Sequence, residues 1–264
     1  MGRTLAVITG ASSGLGVVFA RKLAVQYDLL LIARRKNRLD ALAAELITQF
    51  GFAVDVLSAD LTDDKDLAAV ADRIAAEPGL ALLVNNAGFG ARGLFWESDL
   101  EVQERMHRLH VTATYTLTHA ALRNLVAKNA GGIINVASVA AFLQRAGSVS
   151  YGATKRWTTA FTEGLHLELK GIGSAVRVQA LCPGFTYTEF HETLGLERTN
   201  VAPPSLWLQP EFVVDESLKA LRNGKLVVVP GWKYKAIVAL VSKLPTTLRL
   251  AFEAAGSTKK SRWK

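Results

Sequence analysis

Cysteine is almost absent from this chain, which contains one, Cys182, among 264 residues. A single cysteine excludes an internal disulfide and a cysteine-rich metal site, so no metal is expected and a reducing, cytoplasmic compartment is favoured. Long apolar runs are also missing, and none approaches the roughly 20 residues that a bilayer-spanning helix needs. The N-terminus lacks the apolar core and cleavage site of a signal peptide, so no secretion is expected.

Acidic residues are scarce near the C-terminus. Residues 219–264 contain 11 Lys and Arg and one acid, Glu253, a balance of +10, against −2 for the other 218 residues. Such an end either is simply solvated or attracts an anionic membrane, nucleic acid or an acidic carrier. It has no recognisable motif for reading nucleic acid, so no nucleic-acid partner is expected, whereas peripheral membrane contact stays open.

Short apolar runs, by contrast, recur along the chain and alternate with helix-length segments. Seven strands are predicted, at Thr4–Thr9, Leu29–Ala33, 53–59, 80–85, 132–138, 175–181 and Lys225–Gly231. Near-continuous apolar strands are typical of parallel sheets covered on both faces, and alternation with helices indicates right-handed crossovers. The sequence therefore predicts an α/β, doubly wound Rossmann-type fold with a mostly seven-stranded parallel sheet, in one domain over residues 1–231.

Residues 232–264 are predicted to form an apolar helix and a basic tail. Every residue from Ala236 to Val241 is apolar, and charged residues and Pro245 then interrupt the run. A helix that is apolar all round is normally buried. Three placements stay open: a subunit interface, a cover over the substrate mouth, or a membrane surface with Lys and Arg beside it.

A glycine-rich turn joins the first predicted strand to the first helix, where Rossmann folds bind pyrophosphate. Its spacing from Gly10 to Gly16 is G-x-x-x-G-x-G. Glycines allow a phosphate to approach the backbone closely, and the helix N-terminus offers free N–H groups and a partial positive charge. The predicted cofactor contacts in this turn are Gly10, Ser12, Ser13, Gly14, Leu15 and Gly16.

The end of the second strand indicates which dinucleotide binds. NAD sites carry an acid there for the ribose 2′-hydroxyl, whereas this strand runs into Arg34 and Arg35. Cations are unfavourable at a helix N-terminus, so their presence favours a 2′-phosphate and hence NADP(H), with Arg34 as the first ligand. Asp60 and Leu61, after the third strand, are further predicted cofactor contacts. Asp60 either accepts a hydrogen bond from the adenine amino group or caps the next helix.

Polar residues follow three further strands. Tyr151 and Lys155 lie one helical turn apart, and Ser138 ends the fifth strand thirteen positions before Tyr151. The segment Asn85–Gly88, which reads Asn-Asn-Ala-Gly, follows the fourth strand, and Pro183-Gly184 follows the sixth. In order and spacing, these motifs resemble the classical short-chain dehydrogenase/reductase family over roughly residues 4–230.

The resemblance implies an oxidoreductase that interconverts carbonyls and alcohols. Tyr151 would act as general acid and base, and Ser138 would hold the carbonyl oxygen. Lys155, together with the positive oxidised nicotinamide, would lower the Tyr151 pKa, and Lys155 would also bind the nicotinamide ribose. The family further implies a homodimer or homotetramer built on helices near 97–128 and 152–170. Other cofactor contacts are implied at Asn86, Ala87, Gly88, Pro183, Gly184, Thr186 and Thr188.

The sequence departs from the family at His110. Relatives usually carry an asparagine there, which helps to hold a water in the proton relay of the lysine. Histidine can also donate and accept, so His110 either takes this role or packs in its helix without moving a proton.

The resemblance places a substrate lid near residues 185–212. Aromatic and aliphatic side chains are frequent there and beside the predicted site: Phe89, Phe95, Trp96, Phe142, Phe185, Tyr187, Phe190, Leu194, Leu196, Leu206, Trp207 and Leu208. An apolar lining favours a hydrophobic ketone or aldehyde as substrate.

Two other functions stay open at this point. One is a non-enzymatic NADP(H)-binding module that senses redox state, for which His110 is the only hint. The other is a membrane-associated ketoreductase for acyl-CoA or acyl-carrier substrates, whose acidic groups would suit the basic tail. The intact set of Ser138, Tyr151 and Lys155 favours an enzyme over a sensor.

Overall fold

The parallel sheet predicted from the sequence is present in the computed structural model, which describes residues 4–192 and 202–255. Its seven strands lie in the order β3-β2-β1-β4-β5-β6-β7, and all neighbours pair in parallel. The strands are β1 (Leu5–Thr9), β2 (Asp28–Ala33), β3 (Val54–Ser58), β4 (Leu80–Asn85), β5 (Gly132–Val136), β6 (Arg177–Leu181) and β7 (Val227–Val228).

Helices connect the strands and cover both faces of the sheet, which confirms the doubly wound α/β fold. The α-helices are α1 (Gly14–Leu23), α2 (Lys36–Phe50), α3 (Asp64–Ala75), α4 (Leu100–His107), α5 (Thr114–Lys128), α6 (Val149–Gly171), α7 (Glu189–Glu192), α8 (Pro210–Arg222), α9 (Trp232–Ser242) and α10 (Thr246–Ala255). Short 3₁₀ turns lie at Phe95–Glu97, Val139–Ala141 and Pro204–Leu206, and Arg108–Ala113 is a π-helical turn between α4 and α5.

Each face of the sheet has its own apolar core, because successive side chains of a strand point to opposite faces. In β1, Leu5 and Val7 pack on the side of α3 and α5, while Ala6 and Ile8 pack on the side of α1, α2 and α8. All four side chains are buried. Burial on both faces explains why the strands appear in the sequence as near-continuous apolar runs.

The strand order reverses at β1. The chain moves outward from β1 through β2 to β3, and it then returns to β4 on the other side of β1. The loops after β1 and β4 therefore diverge and leave a crevice at the carboxyl edge of the sheet, where open parallel sheets bind ligands. Thr9 and Asn85 end these two strands, and Ser138 comes two residues after β5.

Residues 232–255 form two helices, where the sequence predicts one apolar helix. The segment between α9 and α10 contains Pro245, whose ring prevents the first helix from continuing. α9 buries Tyr234 and Val238 in a third apolar cluster near the carboxyl ends of β5 and β6. Within residues 4–192 and 202–255, no helix is long and apolar enough to cross a membrane.

Candidate active site

The glycine-rich turn after β1 is held by the turn after β4. Gly10 has a φ of +66°, and a Cβ there would stand 2.8 Å from the Ala87 Cα, so the close approach requires glycine. The Thr9 hydroxyl accepts from the backbone N–H groups of Asn86 and Ala87, both at 3.0 Å. The Asn86 amide donates to the carbonyl oxygens of Thr9, at 3.0 Å, and Gly10, at 3.3 Å. Asn86 therefore shapes the glycine turn, a role that the sequence prediction did not include.

The N-terminus of α1 suits an anion. Gly14 begins the helix with a φ of +55° and lies against Thr188, which follows β6. Ser13 occupies the N-cap position without a side-chain hydrogen bond to the helix, and the first turn contains no acid. First-turn N–H groups without a side-chain cap, behind a glycine turn, fit the pyrophosphate of a dinucleotide.

Two arginines follow β2, and one of them contacts the glycine turn. Arg35 Nε donates to Ser12 Oγ at 3.1 Å, and Arg35 Nη2 donates to the Ser12 carbonyl at 3.4 Å. The Arg34 side chain is 65% exposed, and its Nη1 lies 3.9 Å from Asp60 Oδ2. Arg35 is thus the arginine that contacts the glycine turn, while the prediction that Arg34 is the first phosphate ligand stays a prediction.

Asp60 does not cap α3, which was one of its two predicted roles. Asp63 caps this helix, because its carboxylate accepts from two first-turn N–H groups at 2.9 and 3.1 Å. Asp60 Oδ1 instead accepts from the backbone N–H and the hydroxyl of Thr62. Burial acts to raise the pKa of Asp60, but these hydrogen bonds and two nearby arginine charges hold the pKa below its ordinary value. The adenine contact of Asp60 stays a prediction, and Leu61 is buried in the core.

The structure brings Ser138, Tyr151 and Lys155 together at the carboxyl end of β5. Lys155 is buried, and its Nζ donates to the Val136 carbonyl at 2.8 Å. Ser138 Oγ accepts from the Ala140 N–H at 3.1 Å and is hydrogen-bonded to the Tyr151 side chain. Lys155 Nζ stands 5.8 Å from the centre of the Tyr151 ring. A carbonyl oxygen placed beside Ser138 and Tyr151 would meet two hydroxyl groups.

Burial shifts the pKa values of Tyr151 and Lys155 in opposite directions. It raises the pKa of Tyr151 to about 12, against a lowering effect of the hydrogen bond with Ser138. It lowers the pKa of Lys155 to about 8, because a buried ammonium loses its hydration. The sequence prediction assigned a lowering of the Tyr151 pKa to Lys155 together with the positive oxidised nicotinamide, and this assignment stays a prediction; the hydrogen bond with Ser138 is a further lowering influence.

The single cysteine is buried near Lys155. Its thiol lies 3.9 Å from Thr159 Oγ1 and 3.8 Å from the Ala180 carbonyl. Burial raises the pKa of Cys182 to about 12, so the thiol is neutral at physiological pH.

The described residues include no group of His, Cys, Asp and Glu side chains that could hold a metal ion.

His110 lies in the π-helical turn, and both of its ring nitrogens have partners. Nε2 accepts from the Phe89 N–H at 3.2 Å, and Nδ1 lies 2.9 Å from Thr154 Oγ1, whose hydroxyl donates to the Tyr151 carbonyl at 2.9 Å. These partners are consistent with a neutral ring that carries its proton on Nδ1. Burial and then the Lys155 charge hold the pKa of His110 well below its ordinary value. This geometry favours the packing interpretation, in which His110 joins the loop after β4 to α6.

Tyr234 of α9 fixes the segment after β6, a contact that the sequence analysis missed. Its hydroxyl accepts from the Phe185 N–H at 3.0 Å and donates to the Leu206 carbonyl at 2.7 Å. Its ring lies directly on Gly184, where any Cβ would overlap it. The buried Thr186 hydroxyl donates to the Gly184 carbonyl at 3.0 Å. The signal available in the sequence was one tyrosine between two lysines at the start of a helix that is apolar from Ala236 to Val241.

Aromatic rings pack together in the segment after β6, and one of them lies against Tyr151. Phe185 and Tyr187 both pack against Trp207, with ring centres 5.5 and 5.2 Å apart. The Phe190 ring lies 5.8 Å from the Tyr151 ring. Phe185, Tyr187 and Trp207 therefore pack together in the segment where the lid is predicted, and the lid itself stays a prediction.

Other predicted lining residues differ in position. Leu194 and Leu196 lie outside the described residues. Phe95 is 51% exposed and Trp96 is 77% exposed, so both are surface side chains.

The C-terminal helix reaches the loop that follows Ser138. Glu253 of α10 accepts from the Gln144 N–H at 3.0 Å, and its side chain is 8% exposed. Arg249 lies one turn earlier, with Nε 4.0 Å from Glu253 Oε1. α10 thus contacts the loop that follows Ser138, and the three predicted placements of this end of the chain stay predictions.

The family model and the similar proteins all indicate the same family for this chain. The chain matches the short chain dehydrogenase family over residues 4–199. A sulfoacetaldehyde reductase from Chromohalobacter salexigens is 37% identical over 190 residues, which cover 70% of this chain and 74% of that protein.

Two solved structures share the whole architecture. A short-chain dehydrogenase from Sphingobium yanoikuyae in complex with NADPH has a TM-score of 0.82 and 36% identity, covering 92% of this chain and 97% of that chain. The bulky-bulky ketone specific alcohol dehydrogenase from Comamonas testosteroni has a TM-score of 0.78 and 32% identity, covering 93% and 96%.

Proposed function

Because the chain belongs to the short-chain dehydrogenase/reductase family, whose members are oxidoreductases of alcohols and carbonyls, we propose that it is an NADP(H)-dependent reductase of hydrophobic ketones or aldehydes. The family membership gives the nicotinamide cofactor and the reaction class. The preference for NADP(H) and the substrate class are the proposed parts.

The observation that carries the cofactor proposal is the set of cations at the end of β2. Arg35 contacts Ser12 of the glycine turn, Arg34 is exposed beside it, and Arg38 follows one turn later. A 2′-phosphate would receive charge-assisted hydrogen bonds from these guanidinium groups, whereas the end of β2 lacks the acid that NAD sites carry there for the 2′-hydroxyl. The NADPH bound to the Sphingobium yanoikuyae structure supports the same choice.

The chain's own residues provide binding and proton transfer. The glycine turn and α1 would bind the pyrophosphate, and the segment from Pro183 to Thr188 would border the nicotinamide. When bound, the reduced cofactor supplies the hydride. Ser138 would orient the carbonyl oxygen, and Tyr151 would donate a proton to the oxygen that becomes the alcohol. Lys155 would provide positive charge beside this site, since its ammonium is buried next to the Tyr151 ring.

The substrate proposal rests on the aromatic surroundings of Tyr151. Phe190 packs against the Tyr151 ring, and Phe185, Tyr187 and Trp207 pack together in the segment that the resemblance assigns to the substrate lid. Apolar pockets favour ligands that lose little hydration on binding. The ketone-specific dehydrogenase from Comamonas testosteroni is consistent with a bulky ketone, whereas the sulfoacetaldehyde reductase shows that a related sequence is named for a small charged aldehyde.

Cofactor titration followed by a substrate panel tests this function. Purified protein is titrated with NADPH and with NADH by calorimetry, and NADPH oxidation is then measured with aryl ketones, long-chain aldehydes, sulfoacetaldehyde and a 3-oxoacyl-CoA. We expect tight NADPH binding, weak NADH binding and turnover of the apolar carbonyls. Faster turnover of the acyl-CoA would favour the acyl reductase, and NADPH binding without any turnover would favour the sensor.

We also propose that the protein is a homodimer or homotetramer. Tyr115 on α5 is 45% exposed and packs edge-on against Trp157 on α6, which stacks on Phe161 with ring centres 4.8 Å apart. A partly exposed aromatic row across two long helices suits a contact with a second copy. Sedimentation at micromolar concentration should give a multiple of 28.5 kDa, and a monomer would contradict the proposal.

A cytoplasmic location with peripheral membrane contact is the remaining proposal. On α9, Trp232 is 75% exposed and Leu240 is 64% exposed, with Lys235 and Lys243 nearby. Exposed apolar side chains beside cations suit an anionic lipid surface. Flotation with vesicles that contain phosphatidylserine should recover the protein, and Trp232→Ala together with Leu240→Ala should reduce recovery. Equal recovery of wild type and variant would contradict the role of this face.

A further inference from the structure

Glu189 lies on the arginines that follow β2. It begins α7, directly after Thr188, and its carboxylate receives hydrogen bonds from Arg35 Nη1 at 3.1 Å and Arg38 Nη1 at 2.6 Å. These ion pairs join residues that are 154 and 151 positions apart in the chain. The segment after β6 is therefore attached to the cations that the proposed function assigns to the cofactor.

A carboxylate and a phosphate compete for the same guanidinium donors. Both are oxyanions that accept charge-assisted hydrogen bonds from the N–H groups of arginine. The Arg38 guanidinium and, more weakly, that of Arg35 hold the pKa of Glu189 below its ordinary value, so the carboxylate is ionised at neutral pH. Any phosphate that binds Arg35 beside Ser12 meets this internal anion first.

The neighbouring residue connects the same short helix to the catalytic site. The Phe190 ring lies 5.8 Å from the Tyr151 ring, at an interplanar angle of 48°. On the other side, Thr188 lies against Gly14 at the start of α1. The consecutive residues Thr188, Glu189 and Phe190 thus contact, in turn, the glycine turn, the arginines after β2, and Tyr151. Displacing the Glu189 carboxylate would loosen the attachment that positions Phe190.

We propose that Glu189 is a specificity-determining residue that competes with the cofactor 2′-phosphate for Arg35 and Arg38, so that NADPH detaches α7 from these arginines and NADH does not. The proposal rests on the proposed use of NADP(H). It predicts that Glu189 weakens the binding of every ligand with a 2′-phosphate, and that it leaves ligands with a free 2′-hydroxyl unaffected.

Glu189→Gln tests this competition, because glutamine keeps the shape of the side chain and removes its charge. The matched control is Glu45→Gln, which removes the carboxylate that pairs with Arg21 at 2.8 Å on the surface formed by α1 and α2. Wild type and both variants are titrated by calorimetry with NADPH, NADH and adenosine 2′,5′-bisphosphate. The bisphosphate reports the phosphate site without the nicotinamide.

We expect Glu189→Gln to bind NADPH and the bisphosphate about three- to tenfold tighter, the range for losing two partly exposed ion pairs. NADH affinity should change by less than about twofold, and the Glu45→Gln variant should match wild type for all three ligands. An equal gain for NADH, or unchanged or weaker binding of the bisphosphate, would overturn the competition. If wild type binds neither NADPH nor the bisphosphate, the use of NADP(H) itself is refuted, and this result is distinct because it does not depend on Glu189.

Discussion

Lowering the pH from 7.5 to 5.0 should destabilise the folded protein, because the unfolded chain gains a proton at His110 that the folded chain excludes. Folded His110 accepts from the Phe89 N–H through Nε2, and its pKa is held well below the ordinary value by burial and by the Lys155 charge. A second ring proton would point at the Phe89 N–H. The unfolded chain therefore binds this proton first, and stability falls as the pH drops below about 6.5.

The magnitude follows from proton linkage. A histidine that stays neutral in the fold costs about 1.4 kcal/mol for each pH unit below about 6.5, which sets an upper limit of about 2 kcal/mol at pH 5.0. For a chain of this size that corresponds to a melting temperature lower by about 4–8 °C. The other described groups whose pKa values are shifted leave this range clear. The pKa of Lys155 is lowered to about 8, so its contribution is constant below that pH, and the pKa values of Asp60 and Glu189 are lowered from 3.8 and 4.5, so their contributions are lost only in stronger acid.

Melting temperatures at pH 7.5, 6.5, 5.5 and 5.0, at constant ionic strength, measure the effect. His110→Asn keeps an acceptor near Phe89 but cannot titrate, so its curve should be less stable at pH 7.5 and flatter below pH 6.5. His119→Asn is the matched control, because His119 is exposed on α5, and it should follow the wild-type curve. If His110→Asn loses stability as steeply as wild type between pH 6.5 and 5.0, the neutral-histidine argument is refuted.

Three further outcomes can be measured on the same protein. Tyr151→Phe should abolish turnover while NADPH affinity changes by less than about twofold, since the proposed role of the hydroxyl is proton transfer; a large loss of affinity in calorimetry would show a different role. Arg34→Asp should weaken NADPH binding at least about tenfold more than NADH binding, and equal losses would show that Arg34 does not read the 2′-phosphate. Tyr234→Phe should lower stability by about 1–3 kcal/mol in chemical denaturation, because the Phe185 N–H and the Leu206 carbonyl lose their partner; an unchanged midpoint would mean that water replaces the hydroxyl.

Much of the fold was predictable because burial on both faces leaves a simple pattern. Ala6 and Ile8 serve one core while Leu5 and Val7 serve the other, so the strand is apolar throughout. The prediction was less exact for β7, where two residues, Val227 and Val228, pair out of the seven predicted. Pro230 has no N–H to donate, and Gly231 has a φ of +82°, so the chain turns away from the sheet there.

The site was predictable where one local motif carries it. Tyr151 and Lys155 share a helix face, and the resemblance to the family grouped Ser138, which follows β5, with them. Glu189 and Tyr234 were missed, because their partners lie far away in the chain and no local pattern marks them. The Glu189 ion pairs and the contact of Tyr234 with Phe185, 49 positions away, depend on how the segment after β6 folds over the sheet.

Cys182 is a natural probe of local opening in this protein. As the only thiol in the chain, it needs no engineered label, and any reaction with a disulfide reagent reports one known atom. The Cys182 thiol is buried between α6 and α9 and is protonated in the fold. A reagent therefore reaches it only after the structure around Lys155 opens locally. The rate of thiol modification therefore measures how often the region around Cys182 and Lys155 opens. A cofactor that keeps this region closed would lower that rate.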